Sequence, residues 1–216
     1  MGDGGLGVGE IGLLLVAGVV GFFWYSLQGQ VNAEAVARGQ QRGFRAAWLV
    51  LFGSLLGDEV WIAAGLAILA LAGQIDAVRV VLSVVGSFLM LRFAWSALQD
   101  ARTGALPVSK LPDRGGDLAT GAFVSFRNPY ALGLWLGVSA ALLYFATPAP
   151  GLVAFALCWL GLVGGAYLWA LLLAWLAARP GDPPSPAFFR AVNGVAGVAL
   201  AFAGVAVLWN TLRAAG

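Results

Sequence analysis

The chain has 216 residues, of which 61% are hydrophobic and only 10% carry a charged side chain, whereas soluble domains have roughly 25% charged residues. A core of this size cannot hide so much apolar surface from water, which excludes a soluble globular protein and makes lipid the expected solvent. The formal net charge of +2 is too small for a nucleic-acid surface, and the absence of histidine excludes Ser-His-Asp catalysis and histidine-ligated zinc.

Six apolar segments approach or exceed the roughly 20 residues that a helix needs to cross hydrocarbon. They cover residues 11–28, 46–72, 78–98, 119–146, 151–177 and 189–212. Because they are continuously apolar and do not alternate as strands would, they predict an all-α membrane protein with six transmembrane helices in one domain, residues 1–216. The polar stretches between them, including residues 29–45, are expected to be loops.

The basic residues predict the orientation of these helices. If the N-terminus lies outside, only Arg79 and Arg213 fall in outside segments. Inside segments then carry Arg38, Arg42, Arg45, Arg102, Lys110, Arg114, Arg179 and Arg190. Because positive residues concentrate in cytoplasmic loops, we expect a multi-pass protein of the cell (inner) membrane with both termini outside. The acidic start lacks the positive region of a signal peptide, so the first segment is expected to be a true span.

Aromatic residues near the predicted helix ends are typical of interfacial belts. Those near the inner ends are Trp24, Tyr25, Trp48, Trp95 and Trp175, and those near the outer ends are Tyr144 and Trp209. We therefore expect these side chains to lie at the two membrane surfaces, and packing within the protein is the alternative for several of them.

The second and fifth predicted helices share a pattern of small residues and tryptophan. Three pairs are each 108 residues apart: Gly53 and Gly161, Gly57 and Gly165, and Trp61 and Trp169. With three helices in each half, the second half enters the membrane from the opposite side, which predicts an inverted-topology repeat. The repeats would cover residues 10–99 and 118–213, joined by a cytoplasmic loop at 100–117. Chance similarity between glycine-rich helices is the alternative.

Two carboxylates lie near the middle of the second predicted helix. A carboxylate at this depth costs about 2.5–3.5 kcal/mol, so Asp58 and Glu59 are expected to face the bundle interior or a water-filled cavity. Adjacent side chains point about 100° apart, and Asp58 is favoured because it flanks the face that carries the glycines. The alternatives are a structural ion pair with Arg92 or Arg127, or a carboxyl group kept neutral by its surroundings.

The fourth predicted helix contains a helix breaker. Because proline removes a backbone donor, the helix is expected to kink or unwind at Arg127, Asn128 and Pro129. Unwound backbone at membrane depth lines cavities, so these residues are candidates for substrate binding, and a simple proline kink with Arg127 snorkelling is the alternative. The matching break in the first half would lie at residues 28–32, where Gly29 permits an unusual backbone, and a polar loop at a helix end is the alternative.

These motifs, in this order and spacing, resemble the LysE/RhtB family of small six-helix amino-acid exporters. The matching residues are Gly43-Phe44-Arg45, Gly53 and Gly57, Gly86, Gly121, and Asn128-Pro129. The family usually has Pro-Gly-Pro at the first break, where this chain has Gln28 and Gln30 around Gly29, and lysine after Asn-Pro, where this chain has Tyr130. The resemblance implies export of a small amino acid or related metabolite from the cytoplasm, driven by an ion or proton gradient.

The resulting hypothesis is a secondary exporter with a small-molecule substrate, working in a lipid bilayer without a cofactor or bound metal. Asp58, helped by Glu59, would hold the substrate ammonium or a coupling proton, while Arg127 and the backbone at Asn128-Pro129 would face the carboxylate. The glycine pair of the second helix predicts a tight crossing with a neighbouring helix and would let the halves rock. The alternatives are a divalent metal-cation exporter using both carboxylates and a non-transporting scaffold; an enzyme is not expected. Small-residue helix faces also predict a homodimer.

Overall fold

The computed structural model describes residues 8–27, 29–72, 75–104, 115–127, 131–146, 150–181 and 184–215. These residues form eight α-helices, α1 to α8 in chain order. The bounds of the helices are Val8–Ser26, Gly29–Arg42, Phe44–Ala72, Asp76–Thr103, Asp117–Phe126, Ala131–Ala146, Leu152–Ala177 and Pro186–Ala215.

Five of these helices, α1, α3, α4, α7 and α8, are long and apolar enough to cross a membrane. The protein is therefore an all-α, multi-pass membrane protein. The predicted fourth segment is divided, because α5 ends at Phe126 and α6 begins at Ala131, so that the expected break lies between them. With 10 and 16 residues, α5 and α6 are each shorter than the roughly 20 residues that a crossing requires.

The prediction of a loop after the first span is wrong, since residues 29–42 form α2. This helix is polar, yet Asn32, Glu34 and Arg38 are among its buried residues. It packs on α3 and α7, and its polar side chains find their partners inside the protein. A search for long apolar segments cannot detect such a helix, because packing against protein and not an apolar surface stabilises it.

Glycines bring α3 and α5 into backbone contact. A Cβ atom at Gly53 would collide with the carbonyl oxygen of Leu118, and one at Gly57 would lie 2.8 Å from the carbonyl oxygen of Ala122. On the opposing helix, Gly121 meets the backbone of α3 as closely. The tight crossing predicted from Gly53 and Gly57 is confirmed, since only the absence of a side chain permits this approach.

The glycines of α7 make the same kind of crossing with α1. A Cβ atom at Gly161 would lie 2.5 Å from the carbonyl oxygen of Leu14, and one at Gly165 would collide with the carbonyl oxygen of Gly18. The two glycines of α7 come 108 residues after Gly53 and Gly57 of α3. The carbonyl groups that they contact, those of Leu14 and Gly18 on α1, come 104 residues before the matching carbonyl groups of Leu118 and Ala122 on α5. The two crossings therefore recur at constant offsets along the chain.

Basic residues from separate helices share one end of the bundle. Gln40 on α2 donates to the carbonyl oxygen of Arg179 over 2.9 Å, beyond the end of α7. A Cβ atom at Gly104, after α4, would lie 2.8 Å from Cγ of Arg190 near the start of α8. Positions that the charge pattern assigned to one side of the membrane thus lie together.

Two of the aromatic residues near predicted helix ends are buried within the protein. Because the side chains of Trp24 and Tyr25 are covered by protein, packing accounts for them and not a lipid-facing belt. The side-chain amide of Asn32, on the following helix α2, donates to the carbonyl oxygen of Tyr25. More than half of the surface is exposed for Trp95, Trp175 and Trp209, as in a belt, and the side chain of Tyr144 lies outside the described residues.

Candidate functional site

Four buried polar side chains meet where α1, α3 and α5 converge. The hydroxyl group of Tyr25 donates to Ser54 Oγ over 3.0 Å, and the carboxyl group of Asp58 lies near that hydroxyl group. Ser54 Oγ lies 2.6 Å from Ser125 Oγ. None of the four residues is more than 4% exposed. This group, which we call the Asp58 cluster, brings an acidic side chain and hydroxyl groups from three helices into one buried region.

The crossing of α3 and α5 explains why Asp58 is buried there. Asp58 follows Gly57, and a Cβ atom at Gly57 would lie 2.8 Å from Cβ of Ser125 and 3.0 Å from the backbone nitrogen of Phe126. Ser54 is one helical turn earlier on α3, so it shares a face with Asp58. The expectation that Asp58 faces the interior is confirmed, and it lies close to the end of α5 where the helix breaks.

Glu59 points to a different neighbour. Trp159 Nε1 on α7 donates to Glu59 Oε2 over 3.2 Å, and Glu59 is only half-buried. The roughly 100° rotation between adjacent helical residues therefore separates the two carboxylates. Asp58 lies near Tyr25 of α1 whereas Glu59 faces α7, so these contacts do not bring the two carboxyl groups together.

Arg127, the predicted cationic residue, lies outside the Asp58 cluster. Its side chain is exposed, and its guanidinium group sits 5.0 Å from the centre of the Phe123 ring on its own helix. Arg92, the other cation considered as a partner for Asp58, is also exposed. The remaining predicted site residues near the two breaks, Gln28, Asn128, Pro129 and Tyr130, lie outside the described residues.

The first break is held by an asparagine. Between the end of α1 at Ser26 and the start of α2 at Gly29, the side-chain amide of Asn32 donates to the carbonyl oxygens of Ser26, over 2.9 Å, and Tyr25, over 3.3 Å. Trp169 Nε1 on α7 donates to Asn32 Oδ1 over 3.2 Å. Asn32 thus satisfies carbonyl groups that a helix end leaves without partners.

A buried ion cluster ties α2 to the start of α5. Arg38 donates to the carboxylate oxygens of Glu34 and Asp117 over 2.5 Å each, and Arg42 also donates to Asp117. Burial acts to lower the pKa of Arg38, but hydrogen bonds to Asp117 and Glu34 outweigh burial and raise that pKa above its ordinary value. Arg38 therefore stays charged, and the cluster closes this end of the bundle between α2 and α5.

Sequence reasoning missed the hydroxyl and amide partners of this site. Ser54 and Ser125 could have been found as polar residues on glycine-bearing faces of apolar helices. Tyr25 was assigned to the membrane surface, and Asn32 was noticed only as part of a polar break. Their meeting depends on helices distant in sequence.

The sequence pattern of the LysE type translocator family matches residues 13–211. The chain belongs to this family. This LysE type translocator is 33% identical to the chemotactic transduction protein ChpE of Pseudomonas aeruginosa over 171 residues, which cover 77% of this chain and 84% of the relative. It is 25% identical over 180 residues to YcgF of Bacillus subtilis, provisionally named an amino acid efflux protein, covering 80% of this chain and 83% of the relative. No solved structure gives a significant match.

Membership in the family confirms the resemblance drawn from the glycine and Asn-Pro motifs. The LysE type translocator is accordingly a membrane transporter, and the Asp58 cluster is its candidate substrate-binding site.

Proposed function

We propose that this translocator is a secondary exporter that carries a small amino acid, or a related metabolite, out of the cytoplasm with an ion or proton gradient. The buried position of Asp58 at the crossing of α3 and α5 carries the proposal. An intramembrane carboxylate of this kind marks substrate and ion pathways. The name of the relative YcgF supports amino acids as the class of cargo.

We propose further that α5 and α6 together make the fourth of six crossings and that the two halves form an inverted repeat. The support is the recurrence of the glycine crossings, 108 residues apart on α3 and α7 and 104 residues apart on α1 and α5. Transporters of this architecture bind substrate near the midplane where discontinuous helices meet. The breaks after Ser26 and after Phe126 would be these points.

In this proposal Asp58 binds the ammonium group of the substrate or the coupling proton. The hydroxyl group of Tyr25 lies near the carboxyl group of Asp58 and donates to Ser54, which connects Tyr25 to Ser125 on α5. In the proposed cycle one of these hydroxyl groups turns to Asp58 as the ammonium group leaves, which lowers the cost of leaving the carboxylate without a partner. Arg127, at the exposed end of α5, remains a candidate for the carboxylate only if α5 moves.

The divergence of Asp58 and Glu59 argues for an organic cation over a divalent metal. Ca²⁺ and Mn²⁺ prefer several oxygen ligands converging on one point. Here the carboxyl group of Asp58 lies near Tyr25, and that of Glu59 accepts a hydrogen bond from Trp159. A single ammonium group needs only one of them.

The test is efflux of labelled amino acids from proteoliposomes with an imposed pH gradient. Asp58→Asn is expected to lower gradient-dependent efflux by about tenfold or more, since losing one charge-assisted contact costs at least about 1.4 kcal/mol. Glu59→Gln, one residue away, is the matched control and should retain most of the rate. Unchanged rate and pH dependence in Asp58→Asn would contradict the role of Asp58.

Both variants should first elute as the wild type does in size-exclusion chromatography, which separates loss of transport from misfolding. If the wild type exports no amino acid, Mn²⁺ and Ca²⁺ efflux is measured next. If it moves none of these either, the scaffold hypothesis gains support.

A further inference from the structure

A tryptophan N–H near the second break is buried without a visible acceptor. Trp61 Nε1 has no hydrogen-bond partner among the residues that the structure describes. The indole group of tryptophan only donates, so no acceptor capacity of its own compensates. Within a membrane protein, an unsatisfied buried donor is costly and rare, and each one calls for an explanation.

The contacts of α3 place Trp61 beside the break between α5 and α6. It lies on the same face as Gly57, which meets the backbone nitrogen of Phe126, and Gly65, where a Cβ atom would lie 3.1 Å from the backbone nitrogen of Leu136. Its ring stacks on that of Phe126 with 5.8 Å between centres. The indole thus lies between the last residue of α5 and the first turns of α6.

The corresponding tryptophan in the other half of the chain does have a hydrogen-bond acceptor. Trp169, 108 residues after Trp61, donates from Nε1 to Asn32 Oδ1 beside the break between α1 and α2. Leu136 comes 104 residues after Asn32, and this offset is the one that relates α1 to α5. The side chain of leucine has no hydrogen-bond acceptor. One tryptophan of the pair therefore has an acceptor, and the described residues supply none for the other.

We propose that Trp61 Nε1 donates to the transported molecule and that its acceptor is the carboxylate of an amino acid whose ammonium group is bound by Asp58. This inference rests on the proposed function. Asp58 and Trp61 are three residues apart on α3, which places their Cβ atoms about 5–6 Å apart on neighbouring positions of one surface. Two side chains at this spacing can reach the ammonium and carboxylate groups of one α-amino acid.

The N–H group of Trp61 then makes the exporter specific for a carboxylate. A site built to hydrogen-bond one group of its substrate rejects analogues that lack the group, because its buried polar atom stays unpaired. An amine without the carboxylate would still bind Asp58 but would leave the donor of Trp61 unsatisfied.

The experiment compares labelled leucine, threonine and lysine with the amines that lack their carboxylates, in proteoliposomes. Trp61→Phe keeps a ring against Phe126 and removes the N–H group. For the exported amino acid we expect KM to rise about tenfold, with little change for its amine and no fall in the unfolding temperature. Trp169→Phe is the matched control: it loses the hydrogen bond to Asn32, so its unfolding temperature should fall while the preference for the carboxylate persists.

A second variant introduces a hydrogen-bond acceptor for Trp61. Leu136→Asn places an amide oxygen where Asn32 stands in the other half, so it should compete with the substrate and raise KM for the amino acid. Export at the wild-type KM together with a raised unfolding temperature would overturn the inference, because the indole would then be an unsatisfied structural group and nothing more.

The outcomes separate this inference from the proposed function. If Asp58→Asn abolishes export while Trp61→Phe leaves the ratio of amino acid to amine unchanged, the exporter stands and the role of Trp61 is overturned. If the wild type exports no member of the panel, the proposed function fails, and this inference fails with it.

Discussion

At the scale of single residues, two buried charged side chains, Asp58 and Arg38, lie beside polar partners. Asp58 lies near the hydroxyl group of Tyr25, and Arg38 lies between two carboxylates. Both arrangements follow from the cost of leaving a charge in an apolar interior without partners. The two arrangements differ in whether the buried group can exchange its partner. In the proposed mechanism Asp58 exchanges a neutral neighbour for a cation, whereas Arg38 is held by two opposite charges.

Arg38 should therefore be structural, and its loss should be costly. Its side chain is 7% exposed, against 50% for Arg42, although both contact Asp117. Arg38→Met removes one partner of a buried ion group, which costs about 3–5 kcal/mol in comparable sites. Arg42→Met removes an exposed one, worth about 0–1 kcal/mol.

Thermal unfolding of the two variants in detergent measures this difference. The Arg38→Met variant should unfold at a clearly lower temperature than Arg42→Met, which should resemble the wild type. Equal shifts in both variants would show that burial does not set the strength of the α2–α5 connection.

At the scale of helices, small residues determine which elements touch. Each of the crossings α3 with α5 and α1 with α7 depends on glycines that meet carbonyl groups of the opposing backbone. In lipid there is little hydrophobic drive between helices, so close packing has to supply their association. The helices that carry the breaks are therefore held by their glycine-bearing neighbours, which fixes where the breaks lie in the bundle.

Adjacent glycines of α7 test this dependence. A Cβ atom at Gly165 would collide with the backbone of Gly18 and lie 2.7 Å from the nitrogen of Phe22, whereas nothing lies within 4 Å of one at Gly164. Gly165→Ala should destabilise the protein by about 1–3 kcal/mol through overpacking. Gly164→Ala should be neutral or stabilise it by up to about 1 kcal/mol, because alanine favours helix.

Unfolding temperatures of both variants, measured in the same detergent, provide the comparison. A wild-type value for Gly165→Ala would mean that α1 and α7 can separate without cost, against the contact that the structure shows. Reduced efflux in the same variant would further connect this crossing to the rocking of the halves.

At the scale of the whole molecule, the basic residues gather at one end. The contacts of Gln40 with Arg179 and of Gly104 with Arg190 bring together segments that the charge pattern assigns to the cytoplasm. Because positive residues near helix ends set orientation in the membrane, we expect this end to face inward and the C-terminal end of α8 to face outward.

Cysteine labelling on intact cells tests the orientation. The native Cys158 is buried, so the wild type should remain unlabelled by a membrane-impermeant maleimide and serve as background. Arg213→Cys, at an exposed position in the last turn of α8, should be labelled from outside. Arg179→Cys, also exposed, should react only after the cells are permeabilised, and the reverse pattern would show the opposite orientation.

Much of this architecture follows from the sequence alone, because it depends on local properties. The length of apolar segments specified the membrane helices, the Asn-Pro motif specified the division between α5 and α6, and Gly53 with Gly57 specified a tight crossing. The cost of an intramembrane carboxylate placed Asp58 in the interior. Each of these inferences uses residues within a single segment of the chain.

Only the tertiary structure decided which polar groups meet. Tyr25 joins Asp58 and Ser54 across 29 residues or more, and Arg38 reaches Asp117 across 79 residues. For the same reason α2 was mistaken for a loop, since its helix is stabilised by partners far along the chain. Hydrogen bonds and ion pairs between distant segments depend on how the helices cross, and periodicity within a segment carries no information about that.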